Sequence, residues 1–536
     1  MSRWDPESRT WHGPSQPPIV NPQASLGQVV LNLLERTPDK VFQICADTEE
    51  VYTCGQVRNL AIHVALNLQK KYGLKKGDVV SMIVTNKACV TPLVFGCFLL
   101  GTPIHTLDAS FEEHDLMHMF KITKPKLVFC ESGNLKTIQN SLESLNINAT
   151  ILSLGEVSVL DELFEPLEAE KSYRPPYLGN SDTTLAVIVC SSGSTGFPKA
   201  VCLSHSQLIA PHSWTSHLGD HILLCFSSLY WISAFHMLMA TVLNGGKRIT
   251  TSKPFSAQYA YRLIEKYQVS YVFTPPSLLA EMVEFCEPSG MRLPSLKIVG
   301  CGGSSLPGVL KDRANALLKP TGQVYVGYSM SEFGAVVAID LFGKPNSAGV
   351  LMPNVSARIA DDSESLLGPE QEGEIQILYT HPFIGYYGNE EATRALLTED
   401  GFIRTGDIGR FDDEGYLTIT DRKKEMIRYR GYQIAPAELE ALLLAIEGIR
   451  HAAVVAIPDP VPPHVDFATA LLVKNQQTGC SLEEEEILST INSQVPDYKK
   501  LRGGVYFVDS LPRTANGKVN RREAKKLALK VAQLEK

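Results

Sequence analysis

The residues best suited to chemistry lie in one short segment, Ser191-Ser192-Gly193-Ser194-Thr195-Gly196-Phe197-Pro198-Lys199. It follows a predicted buried strand at residues 185–189. The glycines leave backbone N–H groups accessible, the hydroxyls add donors and the lysine adds positive charge, a combination that suits a polyphosphate. The segment is not a Walker A loop, because it lacks the G-K-[ST] ending. The alternative is a flexible surface turn, but so dense a string directly after a buried strand favours phosphate binding.

Four further segments contain glycines or charged side chains in suggestive order. They are Gly300-Cys301-Gly302-Gly303, Gly327-Tyr328-Ser329-Met330-Ser331-Glu332, Thr405-Gly406-Asp407 and Pro512-Arg513-Thr514-Ala515-Asn516-Gly517-Lys518. The second is not a hydrolase nucleophile elbow, which would need glycine at position 331. Taken alone, each has an ordinary explanation: Glu332 as a solvated loop residue, Gly406-Asp407 as a turn and Lys518 as a surface lysine.

Together and in this order, these segments resemble the motifs of the adenylate-forming superfamily, which includes acyl-CoA synthetases, 4-coumarate–CoA ligases and beetle luciferases. Residues 415–440 resemble its hinge and first C-terminal loop, and residues 512–518 resemble its adenylation-lysine motif. Residues 501–509 and the N-terminal third are especially similar to the insect luciferase-like branch of acyl-CoA synthetases. The resemblance covers nearly the whole chain.

The resemblance implies roles for individual residues. Lys199, Glu332 and Lys518 would be the catalytic group, with Glu332 holding Mg²⁺. Tyr328 would stack on adenine, Ser331 would contact phosphate, and Asp407 would bind the ribose hydroxyls with Arg422 nearby. The implied ATP- or AMP-binding set is Ser191, Ser192, Gly193, Ser194, Thr195, Gly196, Lys199, Gly302, Gly303, Tyr328, Ser331, Asp407 and Arg422. The implied hinge is Asp421, and the implied CoA-side loop is Arg430, Gly431 and Tyr432.

The implied reaction has two half-reactions. An acid attacks the α-phosphate of ATP and releases pyrophosphate; then the small domain rotates about Asp421 and the thiol of CoA attacks the acyl carbon. We therefore expect an ATP-dependent acyl-CoA ligase that uses ATP, Mg²⁺ and CoA, without a prosthetic group, on a medium- or long-chain fatty acid. The alternatives are an adenylate-forming enzyme with a luciferase-like or other second step, and a non-catalytic nucleotide- or acyl-binding descendant.

Three positions depart from the family pattern. Ala200 follows the phosphate-loop lysine, where glycine is usual. Trp231-Ile232 stand where members often carry a histidine pair, and the histidine nearby is His236. Arg428 replaces a second functional lysine of luciferases, and arginine cannot deprotonate. The second departure predicts a more apolar acyl site, and the third makes luciferin oxidation a weaker hypothesis.

The elements that must position these residues alternate between helix and strand, which predicts mainly parallel sheets covered by helices. Capping boxes begin helices at Ser25 and Thr53, and strands are expected at residues 79–84, 185–189 and 271–273. The predicted fold is α/β: a large N-terminal adenylation domain, residues 1–420, with subdomains at about 20–190, 191–350 and 351–420, the last β-barrel-like. A small mobile α+β C-terminal domain follows at residues 421–536.

That C-terminal part predicts a helix near residues 436–446 with proline at its first turn, and strands near residues 452–457 and 468–473. A further helix is predicted to begin with a cap from Ser481 to Glu484. Its glutamates then lie near the positive end of the helix dipole.

Composition limits the class of protein. Of 536 residues, 44% are hydrophobic and 20% are charged, which excludes a disordered chain or a disulfide miniprotein. A net charge of −8 argues against nucleic acid as a partner. Eleven cysteines without a C-x-x-C pair indicate reduced thiols. His114 and His118 lie four apart, but Asp115 replaces the glutamate of H-E-x-x-H, so we expect no zinc site.

The sequence predicts a cytoplasmic protein. Its N-terminus lacks the apolar core of a secretory signal, and its last residues are not an S-K-L-type peroxisomal address. The longest apolar run, residues 88–104, contains Pro92, Gly96 and Gly101 and is short for a membrane span. We expect a buried helix and a turn there, and no transmembrane segment.

Overall fold

The computed structural model describes residues 1–18, 20–191, 198–212, 221–320, 322–429, 432–458, 466–475, 482–513 and 518–532. Its strands are β1 Arg3–Asp5, β2 Thr10–His12, β3 Val41–Cys45, β4 Val51–Thr53, β5 Val80–Ile83, β6 Ile104–Thr106, β7 Leu127–Cys130, β8 Thr150–Ser153, β9 Leu185–Ser191, β10 Lys199–Ser204, β11 Ile222–Leu224, β12 Lys247–Thr250, β13 Tyr271–Thr274, β14 Ile298–Gly302, β15 Gln323–Tyr328, β16 Ala338–Ile339, β17 Val350–Leu351, β18 Val355–Ala360, β19 Gly373–Tyr379, β20 Ile403–Phe411, β21 Leu417–Arg422, β22 Ile427–Tyr429, β23 Tyr432–Ile434, β24 Ile449–Pro458, β25 Asp466–Lys474 and β26 Val505–Phe507.

Its helices are α1 Leu26–Arg36, α2 Cys54–Tyr72, α3 Val90–Leu100, α4 Glu113–Thr123, α5 Leu135–Ser144, α6 Val157–Phe164, α7 His205–Ile209, α8 Ile232–Leu243, α9 Ala257–Tyr267, α10 Pro276–Cys286, α11 Gly308–Leu318, α12 Glu390–Leu396, α13 Pro436–Leu444, α14 Glu484–Gln494 and α15 Arg521–Val531. The capping boxes predicted at Ser25 and Thr53 are both present. The predicted α/β class is confirmed.

The largest sheet of the described residues has the strand order β17-β16-β15-β14-β13-β11-β12-β3-β4. The strands from β15 to β3 run parallel, and antiparallel strands close both edges. Neighbouring side chains of a strand point to opposite faces. Leu223 accordingly packs with α8, whereas Leu224 packs with α9, α10 and α11. Helices therefore cover both faces, as the helix–strand alternation predicts.

A second sheet has the order β10-β9-β6-β5-β7-β8, with β9 and β10 forming an antiparallel hairpin at one edge. Helices α1, α2, α3 and α8 share a core with one face of this sheet. Helices α4 and α5 pack on the other face. This arrangement places a helical layer between the two large sheets.

The apolar run at residues 88–104 forms a buried helix and turn, as predicted. Every residue of α3 is buried, and Gly101 ends the helix in the left-handed conformation, with φ +80°. Among the described helices, none is long and apolar enough to cross a membrane. The predicted compartment stays a prediction.

The third sheet is antiparallel, with the order β1-β2-β18-β19-β20-β21. Its edge strands β1 and β21 do not pair with each other in the described part of the chain, so the sheet is open where a barrel-like subdomain was expected. The first twelve residues supply β1 and β2, and Trp11 stacks on Phe411 with ring centroids 5.1 Å apart. The N-terminus thus belongs with the strands after residue 350.

The C-terminal part is a small α+β unit in which β24, β25 and β26 form a sheet with helices against it. Helix α13 has proline in its first turn, as predicted. The predicted cap of α14 is wrong: the helix begins at Glu484 with Glu483 as N-cap and no side-chain cap bond, while Ser481 lies outside the described residues. Three glutamates occupy the first turn, where the helix dipole favours them. Strand β21 ends at Arg422, and the predicted division into domains stays a prediction.

The close packing of α2 against α3 depends on Gly96. A β-carbon at Gly96 would stand 2.4 Å from Cγ1 of Val64. We expect Gly96→Ala to destabilise the protein by about 1–3 kcal/mol, because overpacking forces the helices apart. Gly308→Ala is the control, since Gly308 lies at the start of α11 with open space around it. Thermal unfolding followed by circular dichroism checks this; equal midpoints for the two variants would contradict it.

Candidate active site

The predicted phosphate segment begins and ends on a hairpin. Ser191 at the end of β9 lies opposite Lys199 at the start of β10. The intervening Ser192, Gly193, Ser194, Thr195 and Gly196 lie outside the described residues. Helix α4 supports one stem, where Nε2 of His118 donates to the carbonyl oxygen of Pro198 over 3.2 Å. The two described ends of the segment therefore stand side by side.

Ala200, the first departure, causes no strain in the hairpin. It lies in β10 opposite Cys190 and is buried in the cluster that covers the outer face of the second sheet. It does not adopt a positive φ, so its methyl group is compatible with the backbone. The departure is a packing feature of the strand and does not restrict its conformation.

Glu332 is a buried carboxylate at the end of the largest sheet. It lies in a short turn, Ser331–Phe333, after β15, and is 5% exposed. The hydroxyl of Tyr386 donates to its Oε1 over 2.7 Å, and Nε2 of Gln207 donates to its backbone oxygen over 3.0 Å. Burial raises the pKa of Glu332, while Tyr386 and the more distant charges of Arg422 and Lys199 act in the opposite direction.

Tyr328, Asp407 and Arg422 form a second polar group. Asp407 in β20 pairs with Arg422 in β21, and Nε of Arg422 lies 3.0 Å from Oδ1 of Asp407. The hydroxyl of Tyr328 donates to Oδ2 of Asp407 over 2.6 Å. Burial raises the pKa of Asp407, and attraction to Arg422 opposes that shift. The structure thus brings together three residues predicted from separate segments, and the Thr405-Gly406-Asp407 motif lies within a strand.

Lys518 reaches the glycines at the end of β14. A β-carbon on Gly303 would stand 3.5 Å from Cε and 3.8 Å from Nζ of Lys518, and Gly303 has a φ of +92°. Glycine is therefore favoured there by its conformation, whereas a β-carbon would make only ordinary contact with Lys518. Protein atoms around the ammonium group of Lys518 desolvate it and lower its pKa, and repulsion from Arg422 adds to the effect.

The residue predicted as the hinge lies where the C-terminal unit begins. Asp421 is buried; its Oδ1 accepts from the N–H of Arg422 over 2.7 Å and its Oδ2 from the N–H of Ala437 over 2.9 Å. The second bond ties strand β21 to the first turn of α13. Burial raises the pKa of Asp421, and these two backbone bonds oppose the shift.

Arg521, three residues after Lys518, links several segments of the C-terminal unit. Its Nε lies 2.8 Å from a carboxylate oxygen of Glu425, and its Nη1 lies 2.8 Å from Oε1 of Glu440. Nη1 also donates to the backbone oxygen of Val454 over 2.8 Å. The start of α15 is thereby tied to the segment after β21, to α13 and to β24.

Residues 32–387 match the family described as AMP-binding enzyme, and residues 438–518 match the AMP-binding enzyme C-terminal domain. The chain belongs to the AMP-binding enzyme family. It is 30% identical to 4-coumarate–CoA ligase 1 of Petroselinum crispum over 91% of each chain. The structure of a luciferase-like enzyme from the nonluminescent mealworm Zophobas morio is 28% identical, covers 78% of this chain and 100% of its own, and has a TM-score of 0.72.

ATP-bound MatB from Rhodopseudomonas palustris shares the fold, with a TM-score of 0.83 over 94% of this chain and 99% of its own at 22% identity. The resemblance to the adenylate-forming superfamily and its luciferase-like branch is confirmed. Enzymes of this kind are acyl- or aryl-CoA ligases, among which luciferase-like members occur.

Helix α8 packs on the largest sheet of this AMP-binding enzyme through apolar side chains. Trp231 is its N-cap, Ile232 begins it, and His236 is half-buried, with burial lowering the pKa of its imidazole to about 4. The imidazole is therefore neutral at physiological pH. The cluster between this helix and the sheet contains Leu223, Cys225, Met237, Ala240, Tyr271 and Phe273.

A separate apolar cavity lies on the opposite face of the same sheet. Helices α9, α10 and α11 enclose it, and Ser227, Thr274 and Pro275 line it after the carboxyl ends of β11 and β13. Most of its other lining residues are aliphatic or phenylalanine, among them Leu224, Phe226, Phe255, Leu279 and Met282.

The predicted CoA-side loop lies on the C-terminal unit. Tyr432 in β23 is 55% exposed and stacks on Tyr498 with ring centroids 4.4 Å apart. Arg428 in the paired strand β22 is exposed. Arg430 and Gly431 lie outside the described residues. In the described part of this hairpin, Arg428 and Tyr432 are exposed, whereas Ile427, Tyr429 and Ile434 are buried.

The buried carboxylate of Glu332 fits a site for magnesium bound together with a nucleotide. No cluster of three or more histidine, cysteine, aspartate or glutamate residues is found in the described ranges, so a cage built from protein ligands alone is not present there. Mg²⁺ is often held by one carboxylate together with substrate phosphates, and a buried hard oxygen donor such as Glu332 meets that requirement.

Sequence reasoning missed Tyr386 and Gln207. Gln207 belongs to the capping box of α7, so its local role conceals its contact with the Glu332 backbone. Tyr386 stands 54 positions from Glu332. Spacing gives no signal for either contact, because each is made by tertiary packing.

The C-terminal unit is held on α10 by an exposed ion pair. Nη2 of Arg450 lies 2.7 Å from Oε2 of Glu284. Burial raises the pKa of Glu281, one turn earlier in α10, and the positive charge of Arg450 opposes that shift. We expect Glu284→Gln to weaken this docking by about 0.5–1 kcal/mol, as for exposed pairs. Trypsin should then cleave residues 422–428 about two to five times faster.

Glu287→Gln is the matched control, because Glu287 pairs with Arg313 in α11, on the same side of the interface. High salt should remove the difference between the variants, since exposed pairs are screened. Equal cleavage of Glu284→Gln and Glu287→Gln at low salt would contradict the prediction.

Proposed function

We propose that the chain is an AMP-forming acid–thiol ligase that activates a medium- or long-chain fatty acid and transfers it to CoA. The observation that supports this most directly is the position of Lys518. A lysine from the end of the chain stands beside Gly303, while Asp407, Arg422 and Tyr328 lie bonded to one another nearby. These contacts support a site in which nucleotide binding and charge neutralisation are combined.

In the first half-reaction a carboxylate attacks the α-phosphate of ATP. Both reactants are anions, so neutralising their charge is the main demand. Lys199 and Lys518 would meet it from two sides, and Mg²⁺ held at Glu332 would add charge neutralisation when bound. Asp407 would accept hydrogen bonds from the ribose hydroxyls. The hydrogen bond from Tyr328 to this carboxylate would then weaken or break.

In the second half-reaction the CoA thiol attacks the acyl carbon and AMP leaves. Lys518 has no task in this step. Rotation of the C-terminal unit about Asp421 would move Lys518 away from the site and bring the strand pair that contains Tyr432 toward it. The exposed position of Tyr432 in the present arrangement supports a role that begins after such a movement.

The choice of a fatty acid rests on the apolar start of α8, where Trp231 and Ile232 are half-buried. Its apolar residues and neutral His236 suit an aliphatic chain, for which hydrophobic burial provides the binding free energy. A hydroxycinnamic acid is the competing substrate, because the Petroselinum crispum relative is a 4-coumarate–CoA ligase. A second relative, 30% identical over 87% of this chain, is the peroxisomal OPC-8:0-CoA ligase 1 of Arabidopsis thaliana.

The experiment is acid-dependent exchange of pyrophosphate into ATP, with fatty and hydroxycinnamic acids compared, followed by analysis of the CoA thioester. We expect exchange with fatty acids and a thioester only when CoA is added. Lys518→Ala should reduce exchange by about 100-fold or more, the effect of removing one transition-state donor.

Lys526→Ala is the control, because Lys526 is an exposed lysine of α15 that pairs with Glu523. No exchange with any acid, despite ATP binding, would refute the ligase. Full exchange by Lys518→Ala would refute the role of Lys518 alone.

The lowered pKa of Lys518 predicts a pH dependence. Lys518 acts as an ammonium ion, so kcat/KM for exchange should fall as pH rises through its pKa, which lies below the ordinary lysine value of 10.5. Lys518→Arg keeps its charge at alkaline pH, so that fall should be absent from its profile. Pyrophosphate exchange measured from pH 7 upward checks this, and identical alkaline limbs for the two proteins would contradict it.

A further inference from the structure

Tyr386 contacts both charged residues of the site in different ways. Its hydroxyl donates to Oε1 of Glu332 over 2.7 Å, and Nζ of Lys199 lies over its ring, 4.7 Å from the centroid. Tyr386 is only 6% exposed, so both contacts are shielded from solvent. Cation–π attraction orients the lysine toward the ring face, and the hydrogen bond fixes the carboxylate at the ring edge.

Packing alone does not explain the hydroxyl. The ring belongs to the core cluster and meets Phe383 edge-on with centroids 5.2 Å apart. A phenylalanine at 386 would fill the same space. A buried hydroxyl costs free energy unless it is hydrogen-bonded, and its bond is made to Glu332. The polar atom of Tyr386 therefore serves the carboxylate and not the core.

The backbone fixes Tyr386 beside the phosphate segment. The carbonyl oxygen of Gly385 accepts from Cys202 over 3.0 Å, and the N–H of Tyr387 donates to Ala200 over 2.8 Å. Residues 385–387 thus run along β10, the strand that begins with Lys199. The N–H of Tyr386 donates to Oγ1 of Thr393 over 2.9 Å, which anchors the other side of the segment.

Lys199 and Glu332 have opposite charges and are close enough for Lys199 to favour the ionised form of Glu332, yet no salt bridge joins the two in the part of the chain that the structure describes. We propose that Tyr386 is a positioning residue that stands between them, keeping Lys199 directed to the nucleotide phosphates and Glu332 directed to the divalent cation. This inference rests on the proposed function in one respect, that the site binds ATP with a divalent cation.

The test separates metal binding from catalysis. Binding of Mn²⁺ to the full-length protein with ATP, without acid or CoA, is measured by electron paramagnetic resonance, and ATP binding is measured separately with EDTA. Tyr386→Phe removes the hydroxyl and keeps the ring. We expect its Mn²⁺ affinity to fall about tenfold, as for groups that orient a metal ligand, with ATP binding in EDTA unchanged.

Tyr386→Leu removes the ring as well, so both the Mn²⁺ and the metal-free ATP affinities should fall. Tyr387→Phe is the matched control, because Tyr387 packs in the neighbouring cluster around Ala200, and it should bind both as the unmodified protein does. A purely structural role would lower thermal stability without separating the two affinities.

Wild-type Mn²⁺ affinity in Tyr386→Phe would overturn the proposal, and so would the absence of ATP-dependent Mn²⁺ binding in the unmodified protein. Tighter Mn²⁺ binding by Tyr386→Phe would also overturn it, since the hydroxyl would then compete with the cation. Failure of the ligase proposal is distinguishable: Mn²⁺ and ATP would bind as described, but no acid would support pyrophosphate exchange.

Discussion

Charges of opposite sign must stand close together in this cleft without cancelling each other. At about 4 Å and an effective dielectric constant of about 20, a lysine and a carboxylate attract each other by about 4 kcal/mol. A direct bond between Lys199 and Glu332 would therefore occupy both groups. The aromatic ring and hydroxyl of Tyr386 contact each of them instead, and leave each charge able to engage a ligand.

Because these charges must be held close together without pairing, their side chains come from three different sheets. Lys199 begins β10 in the second sheet, Glu332 follows β15 in the largest sheet, and Tyr386 follows β19 of the antiparallel sheet. Hydrophobic clusters cover both faces of the second sheet and the helical side of the largest sheet. A further cluster joins the edge of the largest sheet to the antiparallel sheet, so each side chain lies on a packed support. The open antiparallel sheet also presents Asp407 and Arg422 on paired strands, directly opposite the end of β15.

The sequence was informative where structure is local. The strands before the phosphate segment, the buried helix α3 and the capping boxes are all set by short-range patterns, and the structure has them. The motif residues Tyr328, Asp407 and Arg422 were identified by family resemblance, and the structure brings them together.

Non-local features were not predictable. Strands β1 and β2 join a sheet whose other strands lie more than 300 positions later, as shown by the pairing of His12 with Ser356. No local periodicity reports such a pairing. The cap of α14 was misjudged because an acidic first turn can begin a helix without a serine cap. Tyr386 was missed for the same non-local reason as β1 and β2.

The contacts within the C-terminal unit and those that join it to the rest of the chain differ in their exposure to solvent. Within the unit, Arg521 is bound to Glu425, to Glu440 and to a backbone oxygen of β24, and the side chains of this network are partly buried. One ion pair to the rest of the chain, Arg450 with Glu284, is 42% and 30% exposed and is worth at most about 1 kcal/mol. Arg422 with Asp407 and Lys423 with Glu374 also join the parts of the chain before and after residue 421, and the carboxylates of these two pairs are buried. Lys518 lies three residues before Arg521, next to this network, and the buried Asp421 ties strand β21 to the first turn of α13.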